Sequence, residues 1–137
     1  MAEEVKIDTK EKFVVLHVTT PAMYDNLSAK LFELAHNQLQ LVPKNVIINF
    51  TQVATAHTDH FKPLIELQQT FYEHNASLVF CGLRETIENE LEQAELLEIM
   101  NTTPTESEAW DIVQMEEIER ELLDDEEPLF QGFDPEN

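Results

Sequence analysis

Two glycines stand in the 137-residue chain, Gly82 and Gly132, 50 positions apart. A glycine-rich phosphate loop of the Walker or dinucleotide type needs several glycines close together, so both are excluded. The single cysteine, Cys81, has no internal disulfide partner and fits a reducing compartment. It sits inside an apolar run and reads as packing rather than as a nucleophile. No apolar run approaches the roughly 18 residues of a membrane-spanning helix. The N-terminal stretch MAEEVKIDTKEK lacks the basic start and apolar segment of a secretory signal, so a cytoplasmic protein without membrane insertion is expected. Cations are scarce too: 8 Lys and Arg face 28 Asp and Glu, for a net charge of −20. Nucleic-acid phosphates and anionic lipid would repel such a chain, so no nucleic-acid partner is expected.

What is present is enough for a fold. Apolar residues make up 42% of the chain, eight Phe among them, which suffices for a core. The length suits one domain. The charge is divided unevenly along it. Residues 1–84 hold nine acids and seven bases, net −2, whereas residues 85–137 hold 19 acids and one base, Arg120, net −18. This division implies a near-neutral body followed by an acidic surface or arm, which either keeps the protein solvated or meets a basic patch on a partner.

Periodicity then gives the elements. Val5–Asp8 alternates and reads as an edge strand, and Phe13–Val18 as an interior strand, with TKEK as the hairpin loop between them. Thr20-Pro21 offers an N-cap and a first helical proline, followed by a stripe of Leu27, Leu31, Leu34, Ala35 and Leu39. Pro43 and Asn45 end that helix before a buried strand, Val46–Phe50. Phe61, Leu64, Ile65, Gln68 and Phe71 make the second helix, Ser77–Cys81 the next strand, and Ile87, Leu91 and Ala94 the third helix. Leu97–Met100 reads as a short last strand. Thr105 and Glu108 match a capping box, opening a helix through about Leu123 that carries Ala109, Trp110, Ile112, Val113, Ile118 and Leu122. Strands alternating with helices imply βαβ crossovers. The expected fold is α/β: a mostly parallel sheet of four to five strands with an antiparallel edge strand and about four helices. Residues 1–123 form the domain, and 124–137 (DDEEPLFQGFDPEN) an acidic mobile tail whose Leu129, Phe130 and Phe133 could dock on a partner or on the domain itself.

Chemistry is sparse. His57 and His60 flank Asp59 in AHTDH, but a metal site needs a third ligand that nothing here supplies specifically. No metal, no cofactor and no catalytic residue is expected, and the chain is read as non-enzymatic. The remaining feature is Val46–Leu67, a buried strand running through a short loop into a helix whose first turn carries Thr58, Asp59 and His60. Thr or Asp there caps free backbone amides. A hydroxyl at that positive end is also placed for phosphorylation, and the added charge would change the surface a partner meets.

Over about residues 4–115 this pattern resembles the STAS domain family, the fold of bacterial anti-sigma-factor antagonists. The likeness rests on the element order and three local matches: VIINFTQVATAHTD to the family's strand-loop-helix signature, SLVFCGL to its fourth strand and closing turn, and TESEAWDIV to its final capped helix. In that register Asn49 takes the first Asp slot, Val53 matches, His57 takes the second Asp slot and Thr58 the phosphoacceptor slot. His60 and Phe61 stand where a glycine is usual, Thr20 where glycine often follows the second strand, and Pro63 falls early in the second helix. The resemblance implies a protein-interaction module that binds an anti-sigma kinase-like partner through His57, Asp59, His60, Phe61 and Asn49, switched by phosphorylation of Thr58. It also admits a subunit that supports a transporter ATPase of the lipid-trafficking type, without a phospho-switch. A small-ligand sensor has only topology behind it, and a homodimer stays open.

Overall fold

In the computed structural model the backbone is described for residues 4–133 and the side chains through Leu123. Five strands form one sheet in the order β1-β2-β3-β4-β5: Val5–Thr9, Phe13–Val18, Asn45–Asn49, Leu78–Cys81 and Thr102–Thr103. The hairpin pair β1 and β2 is antiparallel and the remaining pairs are parallel. Helices α1 (Asp25–Gln38), α2 (Lys62–Glu73) and α3 (Glu85–Gln93) fill the three parallel crossovers, and α4 (Glu106–Phe133) follows the last strand.

The pleat sorts the side chains into two cores. Val14, Leu16, Val46, Ile48, Leu78 and Phe80 point to one face, where Leu27, Leu31 and Ala35 of α1, Leu64, Leu67 and Phe71 of α2, and Ile87 and Leu91 of α3 cover them. Phe13, Val15, Ile47, Val79 and Cys81 point to the other, against Ala109 and Val113 of α4. Consecutive parallel strands added in one direction by crossovers of one hand carry their helices to one side, which leaves the opposite face for α4. Burial first, and then the charge of Glu106, pushes the Cys81 thiol up to about 12, which favours the protonated, poorly nucleophilic form of this buried side chain.

Local chemistry explains where the elements depart from the periodicity. Thr20 and Pro21 do not start α1. The Thr20 hydroxyl donates to Ala22 O at 3.0 Å, and Pro21 O accepts from Ala54 N and Thr55 N at 2.7 and 3.1 Å. Residues 20–23 are thus tied to the loop after β3, and the helix begins only at Asp25. Leu97–Met100 is not a strand: Leu97–Ile99 forms a 3-10 turn and β5 lies later, at Thr102–Thr103. The cause is the end of α3, where Glu95 adopts φ 62°, Glu95 N bonds Glu92 O and Leu96 N bonds Leu91 O. This Schellman turn folds Leu96 and Leu97 back onto the core instead of extending them.

On α4, Glu108 N donates to the Thr105 hydroxyl at 3.2 Å, but the Glu108 carboxylate accepts from that hydroxyl, not from the Thr105 amide. Only half of the capping box therefore forms. The helix does not stop near Leu123; its backbone continues to Phe133, through a stretch opened by Leu122, Leu123 and an acid run rich in the helix-former Glu. The mobility expected of 124–137 concerns side chains from Asp124 onward and residues 134–137, which lie outside the described residues. Ile118 and Leu122 point to solvent rather than into the core.

Candidate functional site

The loop from β3 to α2 crosses the edge of the sheet beside the start of α1. Gly82 lets it lie close. With φ 77°, Gly82 has no Cβ, and one placed there would lie 2.3 Å from Thr51 Oγ1 and 3.0 Å from Thr51 N. Asn49 closes the first turn of the loop, its Oδ1 accepting from Thr51 N at 2.8 Å.

Thr58, Asp59 and His60 form a 3-10 turn of their own, and α2 begins after it, at Lys62. Neither Thr58 nor Asp59 caps this turn. The cap is His57, whose Nδ1 accepts from Asp59 N at 3.1 Å, while His60 Nδ1 accepts from His57 N at 3.1 Å. Two imidazoles thus satisfy the free amides that a Ser and a Glu usually share. Both need an unprotonated Nδ1, which places the ring proton of each on Nε2. From there His60 reaches Asp25 Oδ1 at 3.3 Å, and the carbonyl of His60 accepts from the Ser28 hydroxyl at 2.7 Å. The turn is bolted to α1 through its last residue.

On this frame, Thr58 is half-buried, and among the described residues none hydrogen-bonds its hydroxyl. Asp59 is exposed, with Lys62 Nζ 3.0 Å away. The Lys62 ammonium, by hydrogen bond and charge, holds the Asp59 carboxyl below its ordinary value. Asp25, Ser28, Phe32, Asp59, His60 and Pro63 border an open groove of about 470 Å³ between α1 and α2.

The residues singled out from the sequence divide into two sets. His57, Thr58, Asp59 and His60 come together on this turn. Phe61 does not join their surface: its ring is 0% exposed and packs edge-on against Phe50 at 5.3 Å between centroids. It anchors the start of α2 in the core, where sequence reading had it on the partner face. Asn49 points to the other side of the sheet, where its Nδ2 donates to Glu106 Oε1 at 2.8 Å beside His17 and Trp110. Asp25 and Ser28, by contrast, were missed. The available signal was Ser28 itself, a small polar residue wedged between Leu27 and Leu31 on the buried side of α1.

Among the described residues no three His, Cys, Asp or Glu side chains gather closely enough to hold a metal ion. No described helix is long and apolar enough to cross a membrane. The arrangement offers a free hydroxyl on a rigid turn beside a groove, a geometry suited to recognition by another protein.

Comparison with curated protein sequences finds no significant match. Solved structures do match. The Thermotoga maritima protein TM1081 superposes with a TM-score of 0.68 at 12% identity, over 80% of this chain and 94% of its own. A serine-to-glutamate variant of Moorella thermoacetica RsbS gives 0.67 at 18%, over 82% and 96%. The unphosphorylated form of the anti-sigma-factor antagonist SpoIIAA gives 0.64 at 13%, over 80% and 96%. At such identities these likenesses concern the fold. The family model for the STAS domain matches residues 4–109. With that match spanning most of the sequence, and with the mixed sheet and helix order in agreement, the chain belongs to the STAS domain family.

Proposed function

We propose that this chain is a non-enzymatic regulatory module of the anti-sigma-factor-antagonist type, which binds a kinase-like protein partner through the His57–His60 turn and the adjoining groove. The observation that carries this reading is the Thr58 hydroxyl, unbonded among the described residues on a turn held by two imidazole caps and the Ser28 bond. A phosphate there adds about −1.5 to −2 charges next to Asp59, on the turn whose Asp59 and His60 border the groove. The contact breaks through charge and bulk, and dephosphorylation restores it. Family membership and the fold shared with SpoIIAA support the assignment. The unphosphorylated turn is the binding form.

The test is intact-mass spectrometry of the protein purified from its own cells with phosphatase inhibitors, followed by peptide mapping. The expected result is the mass of one phosphate on Thr58 in a fraction that changes between growth and stress. Thr58 unmodified in both states would defeat the switch.

A further inference from the structure

A second surface lies across the sheet from the Thr58 turn, on the outward side of α4. Among the described residues its inward side is engaged: Ala109 and Val113 are buried, and Glu106, Glu116 and Glu117 bond Asn49, Ser77 and Asn45. Arg120, the one base in residues 85–137, also turns inward, to Ser77 Oγ at 3.3 Å and Asn45 Oδ1 at 3.4 Å. The opposite side carries Met115, Ile118 and Leu122, spaced by three and four residues and 55%, 55% and 52% exposed. Three such side chains on one helical face form a continuous apolar stripe. A single exposed apolar residue needs no explanation, but an aligned row on a helix whose core face is already satisfied does.

The frame of the stripe identifies what fits it. Asp111 lies one turn before Met115, Glu119 one turn after it, and Glu121 beside Ile118, all three exposed. Lys12, from the loop between β1 and β2, borders Ile118 on one flank among Gln114, Glu117 and Glu121. A second copy would set the same carboxylates against one another in a chain of net charge −20. We infer that this face docks a cationic amphipathic helix of a partner protein, its apolar side on Met115, Ile118 and Leu122 and its Lys or Arg on Asp111, Glu119 and Glu121. Helix-on-helix recognition of this kind takes anchors at the spacing seen here. The inference stands apart from the Thr58 switch, because the two surfaces lie on opposite faces of the sheet.

The probe is a synthetic amphipathic helix of Leu and Lys, about 18 residues or five turns long, titrated into the full 15N-labelled chain near physiological salt. A control peptide keeps the lysines and replaces the leucines with Gln. Saturable binding is expected, with amide shifts confined to α4 around Met115, Ile118 and Leu122. The triple variant Met115→Ser, Ile118→Ser, Leu122→Ser should weaken it at least about tenfold. Its far-ultraviolet circular dichroism should not change, since these side chains point to solvent. The pair Asp111→Asn and Glu119→Gln should flatten the salt dependence while leaving weaker binding to the stripe. Equal binding of the control peptide, or shifts spread over the acids of α3, would reduce the interaction to bulk charge and overturn the proposal. A concentration-dependent dimer in sedimentation that buries the stripe would overturn it as well, by making the occupant a second copy.

Discussion

His57 and His60 do with imidazole nitrogens what hydroxyl and carboxylate oxygens usually do at a helix start, and this substitution is measurable. His57→Ala leaves the Asp59 amide without its acceptor and should cost about 1 kcal/mol in urea unfolding, whereas His57→Asn keeps an acceptor in reach and should recover most of it. Asp59 provides a separate test. Its carboxyl is held below the ordinary value first by the Lys62 hydrogen bond and charge. A depressed folded-state value contributes stability above the unfolded carboxylate's range, and that contribution is lost as pH falls through the folded value. Followed by NMR, Asp59 should therefore titrate below a typical aspartate, and Lys62→Met should move its midpoint upward. Both groups are exposed, so the effect on global stability should be small.

Among the elements, α4 depends on an anchor remote from its cap. Arg120 reaches Ser77 and Asn45 at the beginning of β4 and β3, and Glu117 of its own helix at 3.5 Å, while Asn45 Oδ1 also accepts from Ser77 N. Arg120→Met keeps the aliphatic stem but removes the donors, leaving Glu117 without the cation beside it and Ser77 Oγ and Asn45 Oδ1 each short of one donor. The expected loss is about 2 kcal/mol, with hydrogen exchange in α4 accelerating before that in α2. The strands were legible in the sequence because Phe13–Val18 and Val46–Phe50 are dense apolar runs between turn signals, and a pleat reads such runs directly. The start of α1 was not legible: Thr20-Pro21 has the local chemistry of a helix start, yet its groups bond residues 54 and 55, which only the tertiary fold brings near. Phe61 was misplaced for a similar reason. Its position in a family motif says where it stands along the chain, while its burial depends on Phe50 across the loop.

For the whole molecule, the arrangement of helices follows from strand order, so the two faces of the sheet were implicit once three crossovers joined consecutive parallel strands. Charge was legible as an amount along the sequence, but its placement was not. Among the described residues, α3 lies on one face of the sheet and α4 on the other, so both sides of the near-neutral sheet carry carboxylates. Among the described residues, Lys10 pairs with Asp8 at 3.3 Å and Lys62 with Asp59, and exposed pairs of this kind contribute little. Like-charge repulsion should therefore outweigh surface pairing in the folded state. Raising ionic strength from about 0.01 M to 0.15 M shortens the Debye length from about 30 Å to 8 Å, from the scale of the domain to that of neighbouring side chains. The melting temperature should rise with added NaCl, by roughly 3 °C if about 1 kcal/mol of repulsion is relieved. Sodium sulfate at equal ionic strength would add a preferential-exclusion effect, so NaCl is the cleaner titrant. A melting temperature that falls with salt would mean that the ion pairs, with Arg120 foremost, dominate the electrostatics of the fold, and that the acids of α3 and α4 are too well solvated to repel one another.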